Sequence, residues 1–317
     1  MIRPALGPSL ATIGVGALLI SSVALPLATY TMVLALFGVP HIGSELRYLD
    51  YRFGARLGRS LVYRLVALLG LAVAARAAGM LGLLSWPVAA TLEILMAAVA
   101  TLALATAARE VRFSAMLAAL LLVACAILAP LATLLFLAVS HNLTPLGLLV
   151  ERLRGAERRR ALLLGGLGFV VLPLLIATGL PFHWLGALGL DGPEVAAFPL
   201  AGSLDANLGV YLPGWALGEN WARHAFSACV FAQCSHYIAV IGILPRLIPG
   251  DARPVVAWPR RPWFWLILAA TGFAVFTGFA VDYAVVRQLY GVLALFHAWL
   301  EIPLLLFALA PRQKATA

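Results

Sequence analysis

The chain is an all-α, polytopic integral membrane protein, and three observations say so. Hydrophobic residues make up 63% of its 317 positions and charged residues only 11%, against roughly 25% charged in a soluble domain. Apolar runs recur that exceed the ~18 residues needed to argue a membrane-spanning helix. The basic residues fall in short segments between those runs, which is topology information. A net charge of +9 raises the question of nucleic acid; the confinement of the arginines to inter-helix segments argues against it. The expected architecture is one membrane domain, 1–317, of about ten transmembrane helices (eight to ten) with both termini cytoplasmic. The 21 arginines against the one lysine, Lys314, suit a bacterial cytoplasmic (inner) membrane.

The first run, roughly 7–46, has only Arg3 before it and no small-residue cleavage site followed by a polar start. It is expected to stay as a first helix rather than leave as a signal peptide. It is too long for one ordinary span of about 20 residues and contains Pro26, so we expect two helices turning there; a single helix kinked at Pro26 is the alternative. Arginines then cluster over Arg47–Arg64, Arg109–Arg112, Arg152–Arg160, Arg246–Arg261 and Arg312–Lys314. By the positive-inside rule all five clusters are cytoplasmic, and an even number of crossings separates each from the next.

Between these clusters lie runs 61–81 and 87–108, split by Gly82 and Ser85-Trp86-Pro87. Segment 113–150, interrupted at Ala129-Pro130, reads as a tight hairpin of two short helices. Runs 161–180 and 220–245 flank one long loop, 181–219, expected on the extracytoplasmic side and carrying Asp191, Glu194, Asp205 and Glu219. Its Trp184, Tyr211 and Trp215, with Trp221, suit an aromatic interface belt. Runs 263–283 and 286–309 meet between Asp282 and Arg287. Of the 22 basic residues only Arg76, Arg223 and Arg287 then lie outside, all at helix ends. Cys125, Cys229 and Cys234 fall inside apolar runs and are expected as buried thiols.

Four histidines sit in this frame: His41, His141, His236 and His297. Each lies on a helix descending from outside to inside, roughly 9–22 Å above its cytoplasmic end at 1.5 Å per residue. Ionisable groups at bilayer depth are costly and face the bundle interior, paired or bound. Four imidazoles at one depth can converge on one ion. Glu45 follows His41 by four residues and Glu301 follows His297 by four, which puts each pair on one helix face. Imidazole with carboxylate is the ligand set of iron, zinc or manganese. A carboxylate can equally hold the second N–H of a ligand histidine, and Arg47 or Arg52 offers Glu45 a simpler partner. Glu93 lies too near the outer end of its helix to join. Pro145 leaves the carbonyl of His141 without its helical donor, and Asn142, Gln233 and Ser235 are candidates to hydrogen-bond the ligands. His183 and His224 fall in or beside the outer loop, as solvated or interfacial groups. The tetrad Pro-Leu-Ala-Thr opens both the His41 run, at Pro26, and the His141 run, at Pro130.

No Walker, Rossmann, CxxC or GxSxG arrangement appears. The segment Gly38-Val39-Pro40-His41-Ile42-Gly43 resembles the early Gly-x-Pro-His-Gly signature of the bacterial Brp/Blh-type β-carotene dioxygenases. Phe231-Ala-Gln-Cys-Ser-His236 is similar to their later aromatic-x-x-x-His helix. The resemblance implies a membrane enzyme with histidine-ligated iron that cleaves a polyene, with His41 and His236 as iron ligands. The chain departs from it at Ile42, which intervenes before Gly43, and at Val240, where the family has a second histidine.

The expected function is a membrane metalloenzyme: a non-haem iron oxygenase or oxidase acting on a lipophilic small molecule, lipid or isoprenoid/carotenoid-like, drawn from the surrounding membrane lipids. The metal ligands would be His41, His141, His236 and His297, with Glu45 and Glu301 as the catalytic or orienting carboxylates. Iron comes first among metals, zinc or manganese after it. A proton-coupled carrier and a b-haem electron-transfer subunit are the alternatives from other classes.

Overall fold

A computed structural model describes residues 8–310 except 191, 193, 210, 211 and 213. Asp191, Tyr211, Arg3, Arg312 and Lys314 therefore lie outside the described residues, which form helices and no strand. Ten principal helices follow in order: α1 Pro8–Ala24, then α2 Pro26–Leu57, α3 Arg59–Met80, α4 Trp86–Thr106, α5 Arg109–Leu128, α6 Pro130–Arg152, α7 Gly155–Ala177, α8 Asn220–Leu247, α9 Arg261–Val281 and α10 Tyr283–Leu309. Nine of them, α2 to α10, are long and apolar enough to cross a bilayer. The tenth expected span, α1, is a shorter apolar helix of 17 residues.

The break at Pro26 is real, and its chemistry repeats. A single extended residue separates α1 from α2, α5 from α6 and α9 from α10. Leu25 has φ −135°, ψ 55°, Ala129 φ −156°, ψ 66°, and Asp282 φ −146°, ψ 91°. Each donates its N–H to the carbonyl four residues back and accepts from the N–H four residues on, so almost no backbone group is stranded in lipid. At the first two turns proline starts the new helix, where its missing N–H is no loss. The tetrad's threonine closes the turn. Thr29 Oγ1 donates to the Ser21 carbonyl at 2.9 Å, and Thr133 Oγ1 to the Ala129 carbonyl at 2.8 Å. At the third turn Asp282 Oδ1 accepts from the Val285 N–H at 3.1 Å. The Pro-Leu-Ala-Thr repeat is thus a helix-turn device, and all three helices that leave such turns carry a cluster histidine.

Segment 181–219 is not a bare loop. It holds a helix over Leu180–Ala187 and short turns over Pro199–Ala201, Leu204–Leu208 and Gly214–Ala216, and it folds over the ends of α2, α9 and α10. The Ala197 N–H donates to Thr31 Oγ1 at 2.9 Å, Phe198 packs on Phe276, Phe279 and Tyr283, and Arg287 donates to Asn207 Oδ1 at 2.8 Å. The arginine-rich end is tied separately. Arg52 makes a two-pronged bond to Glu151 at 2.6 and 3.0 Å. The Asp50 carboxylate accepts from the Val255 and Val256 N–H groups and the Trp258 indole.

Large apolar side chains such as Phe113, Leu128 and Phe273 face outward, the surface a bilayer solvates. The interior packs through small residues where helices approach closely: a Cβ on Gly79 would stand 2.7 Å from that of Ala89. The expectation of three buried thiols is corrected. Cys234 is buried, Cys229 half-buried and Cys125 exposed, with no disulfide, because the face of α5 that carries Cys125 points away from the bundle.

A candidate metal centre

The four histidines meet. One ligand nitrogen from each of His41, His141, His236 and His297 lies within 4.8 Å of the others. His41, His236 and His297 are no more than 1% exposed. They arrive on α2, α6, α8 and α10. Two of these helices are irregular where they reach the cluster. The chain winds as a 3-10 turn at His141–Leu143 and as a π-helical stretch at Ile238–Ile243, just after His236. Such insertions rotate a side chain off the regular helical face and recur at functional sites. The expected opening at Pro145 is present as that 3-10 turn, with the Thr144 N–H donating to the His141 carbonyl and its single hydroxyl proton shared between that carbonyl and Glu301. The π stretch is held by Ser44 Oγ, which donates to the Val240 carbonyl at 2.8 Å.

Hydrogen bonds set the tautomers of two rings. His41 Nδ1 is 3.2 Å from the Phe37 carbonyl, which can only accept, so Nδ1 carries the proton and Nε2 is bare. His141 Nδ1 lies 2.5 Å from Glu301 Oε2; against an ionised Glu301, Nδ1 is the donor and the His141 Nε2 is bare as well. Both bare nitrogens stand 3.2 Å from Nε2 of His297. At most one proton sits on that third nitrogen, so the cluster is rich in inward lone pairs. Two nitrogens bound to one metal at 2.0–2.1 Å are separated by about 2.9–3.4 Å for angles from octahedral to tetrahedral, and 3.2 Å falls within that range.

The carboxylates distinguish this site from the rest of the interior. Four glutamates are buried: Glu45, Glu93, Glu151 and Glu301. Glu93 is gripped by Arg76 at 2.7 and 2.9 Å and by the Trp299 indole at 2.8 Å, so its oxygens are engaged away from the four histidines. Glu151 is paired with Arg52. Among the described residues no arginine or lysine reaches Glu45 or Glu301. Glu301 holds His141 with one oxygen and meets the Thr144 hydroxyl at 2.7 Å with the other. Glu45 Oε2 is 3.4 Å from His236 Nε2, and neither oxygen of Glu45 and neither nitrogen of His236 has a hydrogen-bond partner. The simpler partners for Glu45 are otherwise engaged, Arg52 on Glu151 and Arg47 over the Phe264 ring at 4.3 Å. An uncompensated carboxylate in a dry interior is strongly unfavourable. Here two share one site with four imidazoles.

The remaining expectations divide. Asn142 donates to the Ala138 and Val139 carbonyls of its own helix rather than to a ligand, because the 3-10 turn leaves those carbonyls in reach. Gln233 reaches the site only through Tyr237. His183 is exposed and His224 half-buried against the Phe182 ring. Tyr237, Tyr290, Thr144 and Ser44 join the site without having been singled out in the sequence. Thr144 stands three residues after His141 and Tyr237 directly after His236, so helical neighbourhood was the available signal. No protein-family model, curated protein or solved structure matches the chain.

Proposed function

We propose that the protein is an integral membrane metalloenzyme that holds one divalent, redox-active metal on His41, His141, His236 and His297 and oxidises a lipophilic substrate from the bilayer. The observation that carries this reading is electrostatic. With neutral imidazoles and ionised acids, Glu45 and Glu301 are the two buried carboxylates that no arginine balances among the described residues, and one divalent cation among the converging nitrogens would balance both. Glu301 orients His141 through Nδ1, the carboxylate–histidine–metal arrangement that fixes a ligand ring and raises its basicity; Glu45 Oε2 stands 3.4 Å from the other edge nitrogen, Nε2, of His236, which leaves that ring its Nδ1 for a metal. Bound there, the metal would supply Lewis-acid or dioxygen chemistry in a site closed to water. The protein's own groups hold the rings, exclude water and place a carboxylate where a proton is released.

Iron suits an oxygenase of this kind and is supported by the Gly38–Gly43 resemblance; zinc and manganese accept the same ligands. A lipophilic, isoprenoid- or carotenoid-like substrate is favoured by an apolar groove of about 390 Å³ between α2 and α9, lined by Leu36, Pro40, Ala269, Gly272, Phe273 and Phe276. It borders the residue before His41 and faces the lipid side. The ring spacing disfavours b-type haem, since imidazole centroids 4.5–5.4 Å apart leave no slot for a macrocycle. Metal analysis of detergent-purified protein tests the reading. One transition-metal ion per chain is expected, lost in His41→Ala and His297→Ala. A wild-type protein with no stoichiometric metal and no response to chelators would return the carboxylates and histidines to a proton-coupled carrier.

A further inference from the structure

The ring of His41 has a second neighbour that the metal reading does not use. Tyr237 stacks on it with centroids 4.2 Å apart and planes 28° from parallel. Tyr237 is itself fixed twice. Gln233 Nε2, one helical turn earlier on α8, donates to its hydroxyl at 2.7 Å, and the Tyr290 hydroxyl from α10 lies 3.2 Å away. Tyr290 in turn occupies space left by a glycine. A Cβ on Gly38 would stand 2.8 Å from Tyr290 Cε2, and Gly38 lies on α2, three residues before His41. Three ligand-bearing helices, α2, α8 and α10, thus close on the outer side of His41 through one chain of contacts: Gly38, Tyr290, Tyr237, His41.

We infer that Tyr237, backed by Tyr290 and Gln233 and admitted by Gly38, is the positioning residue that sets the plane of the His41 imidazole at the metal. The inference rests on the metal reading above. A histidine's χ2 is a broad torsion, and His41 is otherwise held at its two nitrogens, Nδ1 3.2 Å from the Phe37 carbonyl and Nε2 3.2 Å from His297 Nε2, contacts in the ring's edge that fix which nitrogen faces inward but restrain the tilt of the ring weakly. A stacked aromatic face restrains the tilt directly. The hydroxyl bonds matter because they stop the tyrosine ring from sliding along α8. Gly38 matters because any side chain there pushes Tyr290 off Tyr237.

Cobalt(II) is the probe, since its visible bands report ligand geometry. The full chain in detergent is titrated with Co(II) alone. Tyr237→Leu is expected to weaken binding about 10–100-fold, the range found when the groups that orient metal ligands are removed, and to shift the bands. Tyr237→Phe keeps the ring and is expected to recover most of the affinity. Gly38→Ala is expected to shift the bands without touching a ligand. Phe279→Leu, a buried change outside the cluster, should lower stability and leave the bands in place. Wild-type affinity and bands in both Tyr237→Leu and Gly38→Ala overturn the inference while leaving the metal site standing. A wild-type protein that binds no Co(II) brings down the metal reading, and this inference with it.

Discussion

At the scale of single residues, the bundle treats its buried acids in two ways, and the difference is testable. Glu93 and Glu151 are structural, each gripped by an arginine. Glu93→Gln leaves Arg76 without its anion and should cost about 3 kcal/mol, read as a lower unfolding midpoint with unchanged metal content. Glu45 and Glu301 should behave oppositely. Glu301→Gln removes the carboxylate that orients His141 and half of the compensating charge, so metal affinity should fall about 10–100-fold, measured by competition with a chelating dye. Glu45→Gln should do likewise, and the double variant should hold no stoichiometric metal. Without metal, the double variant should unfold no earlier than wild type, because it no longer buries two like charges. A destabilised metal-free double variant would mean that these acids fasten helices instead. His41, His141, His236, His297, Glu45 and Glu301 were all legible in the sequence, since ionisable groups are conspicuous in apolar runs. Tyr237, Thr144 and Ser44 were not. Tyrosine, threonine and serine are ordinary in membrane helices, and only the fold shows which of them bond or stack at the cluster.

At the scale of helices, most boundaries could be read from arginines, prolines and run lengths, and the breaks at Pro26 and Pro130 fall where the sequence placed them. What could not be read is that Asp282 makes the same one-residue turn without proline. Its side chain substitutes for the proline–threonine pair, and no pattern of residue types announces that equivalence. Asp282→Ala removes the acceptor for the Val285 N–H and should cost about 1 kcal/mol, the usual value of such a cap, visible as a lower midpoint in detergent melts. The π-helical stretch after His236 was hidden for a related reason: one extra residue per turn leaves no mark in an apolar run. Its cross-helix support is the Ser44 hydroxyl on the Val240 carbonyl. Ser44→Ala should therefore destabilise by about 1 kcal/mol and also alter the Co(II) bands, because the stretch sets the rotation of His236. Asp282→Ala, far from the cluster along α10, should leave those bands alone. Equal spectra in the two variants would count against a positioning role for the π stretch.

At the scale of the whole molecule, the arginine pattern did more than count spans. It gave each helix an expected direction, and a shared direction for α2, α6, α8 and α10 is what led the sequence to expect four distant histidines at similar depth. The fold then supplied what direction cannot, the rotation of each helix about its axis that turns all four rings to a common centre. Those four helices span residues 26–309, so a metal bound at their meeting point links nearly the whole chain. An ion that binds the folded state alone stabilises it by RT ln(1 + [L]/Kd), about 2.7 kcal/mol at a hundredfold excess over Kd. Chelation should therefore lower the unfolding midpoint of wild type, and readdition of metal should restore it in proportion to log concentration. In His41→Ala the midpoint should be independent of metal, because one of the two bare Nε2 atoms that stand against His297 is gone. In Asp282→Ala the dependence should survive at a lower absolute midpoint, since the turn and the ion contribute separately and lie too far apart to couple. A wild-type midpoint that chelator and metal leave unmoved would show that the four helices are held together by packing alone.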